Sequence, residues 1–360
     1  MKKIFCPVLI ALLAAGCTPK QSSIPEEWPW EDPTPVVTPS EDPSESPSEE
    51  PSEDPSDEPA GPGWAEVKDN SFGELPEGIR LYHATNLLDR QAEAWLATVD
   101  LTQQEFHVWG LNDPKLSGTK EPFQTPEKVY NAQGKPVLVM NGGFFYADGG
   151  TYYTASLAVE NGKLLSPNIN YASLDWVTMY YPTKAGFIRH KDGSMEAAWT
   201  YWVNASQHYI YQIPAENGYG KTPLKQPSSS FPEKGVKFEA QTAIGAGPVL
   251  LKNGEIKDTY TFECLQADKD VNCANPDPRT AIGATEDGLL VLFVCEGRNM
   301  TEGVKGYSTG EVAQILKDFG CKEAVNLDGG GSTCLLVNGK ETLKPSDGHQ
   351  RAVGSCVYIK

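Results

Sequence analysis

Asn326-Leu327-Asp328-Gly329-Gly330-Gly331-Ser332 places one carboxylate at the end of an apolar run, then three glycines and a hydroxyl. Glycine lacks a Cβ, so the backbone there can approach a ligand closely and reach φ > 0. A carboxylate beside bare N–H groups suits chemistry on a polar, anionic substrate. Three upstream stretches carry related signatures. Val137-Leu138-Val139-Met140-Asn141 runs into Gly142-Gly143-Phe144-Phe145. Ala243 to Leu250 is an apolar run broken by Gly245, Gly247 and Pro248. Pro278-Arg279-Thr280-Ala281-Ile282-Gly283 opens a hairpin whose return strand ends in Cys295-Glu296-Gly297-Arg298.

The elements that must hold these residues are mostly hairpins. Asn161-Gly162, Asn253-Gly254, Asp287-Gly288 and Asn338-Gly339 each sit between apolar strands. Such dipeptides supply the φ > 0 that type I′ turns require at both central residues. Further strands are expected at 79–85, 94–100, 137–141, 174–180, 240–245 and 351–358. One helix announces itself. Ser308-Thr309-Gly310-Glu311 reads as a capping box, and Val312, Ile315, Leu316 and Phe319 follow at helical spacing. Gly320 suits the position just past its end. The expected fold class is α+β: a single domain over residues 64–360, with a mixed, hairpin-rich β-sheet and few helices.

The N-terminal residues are read as export and attachment rather than fold. Lys2 and Lys3 precede an apolar run from Ile4 to Ala15, too short to span a bilayer comfortably. Leu13-Ala14-Ala15-Gly16-Cys17 then resembles a bacterial lipoprotein signal, with residues 1–17 as the signal peptide and Cys17 as the lipidated residue. Residues 18–63 form a Pro/Ser/Glu/Asp-rich tether; from 21 to 63 it holds 13 acidic side chains and no Lys or Arg. It cannot bury enough apolar surface to offset its ordering entropy. Extended by proline and like charge, it reaches on the order of 100 Å. The expected location is the cell envelope, lipid-anchored at the outer membrane on its periplasmic or surface face, with the bilayer as one partner. The tether carries most of the formal charge of −18. No basic stripe appears elsewhere, which speaks against nucleic acid as a partner.

Beyond Cys6 and Cys17, six cysteines remain. Cys264 and Cys273 flank a loop, and an exported chain permits a disulfide between them. Cys295, Cys321, Cys334 and Cys356 read as small core residues. The five histidines, His83, His107, His190, His208 and His349, are scattered without ligand spacing. No cofactor or metal is expected, although a single Ca²⁺ held by Asp and backbone oxygens would leave no signature.

Taken in order, NGGFF, the Gly247-Pro248 segment, RTAIG and NLDGGGS resemble the phosphodiester glycosidase family. The resemblance runs over most of residues 75–360, with RTAIG and NLDGGGS the specific segments. It implies hydrolysis of a glycosyl phosphodiester, such as an N-acetylglucosamine-1-phosphodiester, in envelope or extracellular glycans. A sugar phosphate would be the leaving group and a phosphorylated glycan the partner. Arg279 is then assigned the diester, since a guanidinium matches two phosphate oxygens at once; a hairpin-end salt bridge is its structural alternative. Asp328 is the first candidate for acid, base or nucleophile, and Glu296 the second carboxylate. Asp328 could instead hold a turn, and Glu296 could be a solvated strand-end charge. Asn141 and Asn326 would bind sugar hydroxyls or phosphate, or tie backbone. Gly329, Gly330, Gly331 and Ser332 would present donors to phosphate. Gly142, Gly143, Gly247 and Thr280 complete the substrate-binding set. Phe144, Phe145 and Tyr146 would stack on a sugar or fill the core.

Two other readings use the same residues. A metal-dependent phosphodiesterase would need a His/Asp cluster that the sequence does not display. A non-catalytic surface glycan-binding lipoprotein would need only aromatic platforms and glycine loops.

Overall fold

The computed structural model describes residues 61–266 and 271–360. The expected signal peptide, Cys17 and tether residues 18–60 lie outside them. The described residues all fall within one compact unit, Pro55–Lys360. They form eight-, seven- and five-stranded sheets and one isolated two-stranded hairpin, with two α-helices among them. The fold is therefore β-rich. Every strand pair among the described residues is antiparallel, so the expected mixed sheet is corrected. Tight two-residue turns can only return the chain antiparallel, whereas parallel neighbours need long crossovers.

Three of the four dipeptide turns have left-handed φ at both central residues: Asn161-Gly162, Asn253-Gly254 and Asn338-Gly339. At Asp287-Gly288 only the glycine is left-handed. There the loop is wider, with Thr285 N–H donating to Leu289 and Gly288 N–H to Thr285. The strand expected at 174–180 does not form. Asp175 accepts backbone N–H groups from Val177 and Thr178, which folds the segment on itself and leaves Leu174, Trp176 and Val177 exposed.

Alternation along Leu290–Cys295 shows how the layers arise. Leu290, Leu292 and Val294 face the central core, which also takes Leu138, Met140, Ile244, Val249, Ile282 and Val357. Val291, Phe293 and Cys295 face the other way, under Val312, Ile315 and Leu316 of the helix Thr309–Asp318. A strand covered on both faces reads as a continuous apolar run because successive side chains point to opposite sides. The Thr309–Asp318 helix starts at the expected capping box on Ser308 and Glu311. A second helix, Pro126–Ala132, is capped by Thr125 with proline in its first turn.

Cys264 and Cys273 are both free and buried, which corrects the expected disulfide. Burial pushes the Cys264 thiol up to about 11 and the Cys273 thiol to about 12. Cys273 packs with Leu265 and Val271, and its carbonyl accepts the Thr309 N–H at the start of the helix.

Candidate active site

Three sheets meet where the glycine-bearing segments end. Leu138–Asn141 belongs to the five-stranded sheet, Thr242–Gly245 to the seven-stranded one, and Arg279–Thr285 and Cys321–Asn326 to the eight-stranded one. Gly143 has no room for a side chain: a Cβ there would collide with the Gly245 carbonyl and Ser156. A Cβ on Gly247, at φ +136, would stand 2.5 Å from a Glu263 carboxylate oxygen. These glycines allow the sheets to approach; their first service is packing.

Asn141 is fully buried at this junction. Its amide nitrogen donates to the Asp328 carbonyl at 2.6 Å. Its amide oxygen accepts from the Thr280 hydroxyl at 2.8 Å and from Cys334 N–H at 3.1 Å. Asn326 donates its amide to the carbonyls of Gly247 and Leu327. The backbone around the carboxylate is pinned as well. Leu327 N–H donates to Thr280, Asp328 N–H to Gly142, and Gly330 N–H to Pro278. Asn141, Asn326, Thr280, Gly142, Gly143 and Gly247 thus form the frame that fixes Asp328, behind the surface a ligand would touch.

That surface is a cavity of about 700 Å³. Asp328, Gly329, Gly330 and Gly331 line it, as do three cationic side chains: Lys184, Arg298 and Arg351. Phe144, Phe145, Tyr146 and Asn168 line it too. The bare glycines have a specific cause. A Cβ on Gly330 would stand 2.8 Å from Nη2 of Arg298, and one on Gly331 would collide with Nη2 of Arg351 and the Asp347 carboxylate. Both guanidinium groups therefore lie against the glycine turn.

Donor counts show what the two arginines have left for a ligand. A guanidinium carries five N–H groups. Arg298 directs Nε and Nη2 at Asp277, at 2.7 and 3.0 Å, and Nη1 at Ser346. Asp277 pulls the Arg298 guanidinium above its ordinary pKa, so it stays charged. Arg351 directs Nε and Nη2 at Asp347 and Nη1 at Ser332. Each arginine is thus oriented by a carboxylate and keeps N–H groups beyond those bonds. The glycine turn offers less than expected. Ser332 N–H is already given to Gly329, and Gly330 N–H to Pro278.

Arg279 takes a different place from the one expected. It is buried, and its guanidinium donates to the carbonyls of Tyr307, Val271, Asn272 and Asn275 at 2.7–2.8 Å. Those bonds clamp the 271–275 loop and leave little with which to grip a phosphate. Glu296 is buried outside the cavity lining and accepts the Lys344 N–H at 2.8 Å. Its second oxygen is buried without a hydrogen bond. The residues that sequence reasoning missed are Lys184, Arg298, Arg351 and Asn168. Arg298 closes the Cys295-Glu296-Gly297-Arg298 segment, two places after Glu296. Lys184 and Arg351 stand in no motif.

Lys184 is drawn into the wall by Glu263, to whose carbonyl its Nζ donates. Burial raises the Glu263 carboxyl above its ordinary range, with Lys184 and three hydrogen bonds opposing. Among the described residues, no group of three or more His, Cys, Asp or Glu is placed to hold a metal ion. None of the described helices is long and apolar enough to cross a membrane.

Similar proteins share parts of this chain. N-acetylglucosamine-1-phosphodiester alpha-N-acetylglucosaminidase of Mus musculus is 32% identical over 115 residues, 30% of this chain and 21% of that protein. The SPbeta prophage-derived uncharacterized protein YomE of Bacillus subtilis (strain 168) is 40% identical over 83 residues, 23% of this chain and 12% of that protein. The alignments thus span about a fifth or less of these relatives. The zebrafish N-acetylglucosamine-1-phosphodiester alpha-N-acetylglucosaminidase catalytic domain, auto-inhibited by pro-peptide, superposes with a TM-score of 0.53 at 21% identity, covering 84% of each chain. A hypothetical protein from Synechocystis gives a TM-score of 0.50 at 18% identity, over 79% of this chain and 62% of that one. These two show a shared fold. Residues 134–360, more than half of the chain, match the family model for phosphodiester glycosidase. The chain belongs to the phosphodiester glycosidase family.

Proposed function

We propose that the protein hydrolyses a glycosyl phosphodiester, releasing a sugar and leaving a phosphate monoester. The observation that carries this reading is one cavity lined by Asp328, the triple-glycine turn and the guanidinium groups of Arg298 and Arg351. Two guanidiniums that keep N–H groups beyond their bonds to Asp277 and Asp347, set in one cavity with Asp328, suit a substrate whose scissile carbon bears a phosphate. In the reaction a water oxygen bonds to the anomeric carbon and the bond from that carbon to the phosphate oxygen breaks. The bonding pair leaves with the phosphate, which needs little protonation. Arg298 and Arg351 balance the charge that gathers on it. Asp328 activates the water or attacks the anomeric carbon directly.

No cofactor enters this reading. The named activity of the mouse and zebrafish relatives supports N-acetylglucosamine as the released sugar. A lipid on Cys17 would hold the domain at the cell envelope, where phosphorylated glycans are the substrates within reach. Incubation with an N-acetylglucosamine-1-phosphodiester tests the reading. The wild type releases the free sugar, and Asp328→Asn lowers kcat by about a hundredfold or more while unfolding as before. A protein that retains the diester without releasing sugar is a glycan-binding lipoprotein instead.

A further inference from the structure

A second cavity, of about 420 Å³, opens at the other end of the strands that shape the first. Lys184–Arg189 and Thr242–Gly245 pair antiparallel, with Gly186 opposite Gly245 and Arg189 opposite Thr242. Lys184 lines the first cavity, and the Gly245 carbonyl meets Gly143 at the sheet junction. Arg189 and Thr242 line the second. A strand rise of about 3.3 Å per residue puts Lys184 and Arg189 roughly 17 Å apart. The two cavities share strands but no lining residue.

Arg189 is the unspent charge of this second cavity. Its Nε is buried and has no hydrogen-bond partner. Among the described residues, no hydrogen bond, ion pair or ring contact engages its guanidinium. A buried donor left unmet costs free energy that an incoming acceptor recovers. The groups around it have other commitments. Thr102 and Thr242 donate their hydroxyls to Asp100 and to the Phe106 carbonyl. Gln103, Gln104 and Gln241 each give an amide N–H to a neighbour, at 3.0, 2.8 and 3.2 Å. Their amide oxygens accept from none of the described residues. Glu105, the carboxylate in the lining, is largely exposed and hydrogen-bonded to His107 Nε2 at 3.0 Å.

We propose that this second cavity is a docking site for an acidic glycan and takes one uronate unit of it. The open edge of the Arg189 guanidinium, with Nε and an Nη side by side, matches the two oxygens of a carboxylate. The amide oxygens of Gln103, Gln104 and Gln241 accept from ring hydroxyls. A carboxylated sugar supplies both kinds of group. A neutral sugar leaves the guanidinium unmet, and a small anion leaves the amide oxygens unmet. The volume is within the range of small-molecule sites. The site goes beyond the hydrolytic reading and does not rest on it: it holds an acidic polymer at one end of the strands, away from the catalytic cavity at the other.

Calorimetric titration of the full chain tests this, with trigalacturonate as the acidic probe and maltotriose as the neutral one. The wild type should bind trigalacturonate at least about tenfold more tightly than maltotriose. Arg189→Ala should remove that difference. Arg189→Lys, which keeps the charge and loses the fork, should weaken trigalacturonate binding roughly fivefold, and it decides the matter if the alanine variant does not fold. Arg351→Ala, at the catalytic cavity, should leave the binding unchanged. Binding lost in Arg351→Ala and kept in the Arg189 variants would place the uronate in the catalytic cavity and overturn the proposal. Equal affinity for the two probes, or no binding of trigalacturonate, would overturn it as well.

Discussion

Asn141 donates its side-chain amide to the backbone carbonyl of Asp328 at 2.6 Å, across 187 positions of sequence. The bond makes Asn141 a positioning residue, since its oxygen is taken by Thr280 and Cys334. Asn141→Ala leaves two donors and one acceptor buried without it, which should cost about 2–5 kcal/mol in denaturant unfolding. Displacing Asp328 should also lower kcat by about 10- to 100-fold, with KM moving less. A variant with normal kcat would show that the frame does not set the carboxylate.

The glycine turn separates a packing role from a binding role. A Cβ on Gly329 would stand 2.6 Å from the Pro278 carbonyl, which is backbone and cannot swing aside. Gly329→Ala should therefore destabilise the fold by about 1–3 kcal/mol. A Cβ on Gly331 meets instead the ends of the Arg351 and Asp347 side chains. Those can move, so Gly331→Ala should keep its stability and raise KM for the diester. Thermal unfolding and initial-rate kinetics on the two variants distinguish the roles.

The three arginines should behave differently. Arg279→Ala removes four bonds to buried carbonyls and should cost about 3–5 kcal/mol in stability. Arg351 pairs with a partly exposed Asp347, so Arg351→Ala should change stability by less than about 1 kcal/mol. Its loss should fall on activity, and more on a phosphodiester than on a neutral aryl glycoside. Equal losses on both substrates would remove Arg351 from the phosphate site. Arg298 is the less clean probe, because Asp277 beside it is buried.

Much of the frame was legible because local rules decide it. The Asn-Gly turns, the Ser308 capping box and the apolar run at Leu290–Cys295 each announce their structure within a few residues. The turn that sets Asp328 and the glycines after it in a cavity wall follows the same local rules. Arg279 was misread because a guanidinium's partners are set by what folds against it, here three carbonyls of the 271–275 loop and that of Tyr307, 28 positions away. Arg351 carried no signal, since its place beside Gly331 depends on a chain segment arriving from beyond the next hairpin. The 174–180 strand failed because one Asp captured the backbone amides that a sheet would have used.

The Asp175 loop has its own pH signature. Backbone N–H bonds from Thr178 and Val177, with the Thr178 hydroxyl, hold the Asp175 carboxyl down to about 2. A depressed carboxyl stabilises its loop above the ordinary value of about 3.8, and that order is lost as pH falls through about 2. Hydrogen exchange at the Val177 and Thr178 amides should lose protection over that window. Asp175→Ala should lack the protection at neutral pH. Protection that persists in the variant would place the order elsewhere.

The central claim is that the bond broken lies between the anomeric carbon and the phosphate oxygen. Hydrolysis of an N-acetylglucosamine-1-phosphodiester in ¹⁸O-labelled water, followed by mass spectrometry of both products, tests it most directly. The account predicts the label on the released sugar and none on the phosphate. Label on the phosphate would mean attack at phosphorus, and the protein would be a phosphodiesterase rather than a glycosidase.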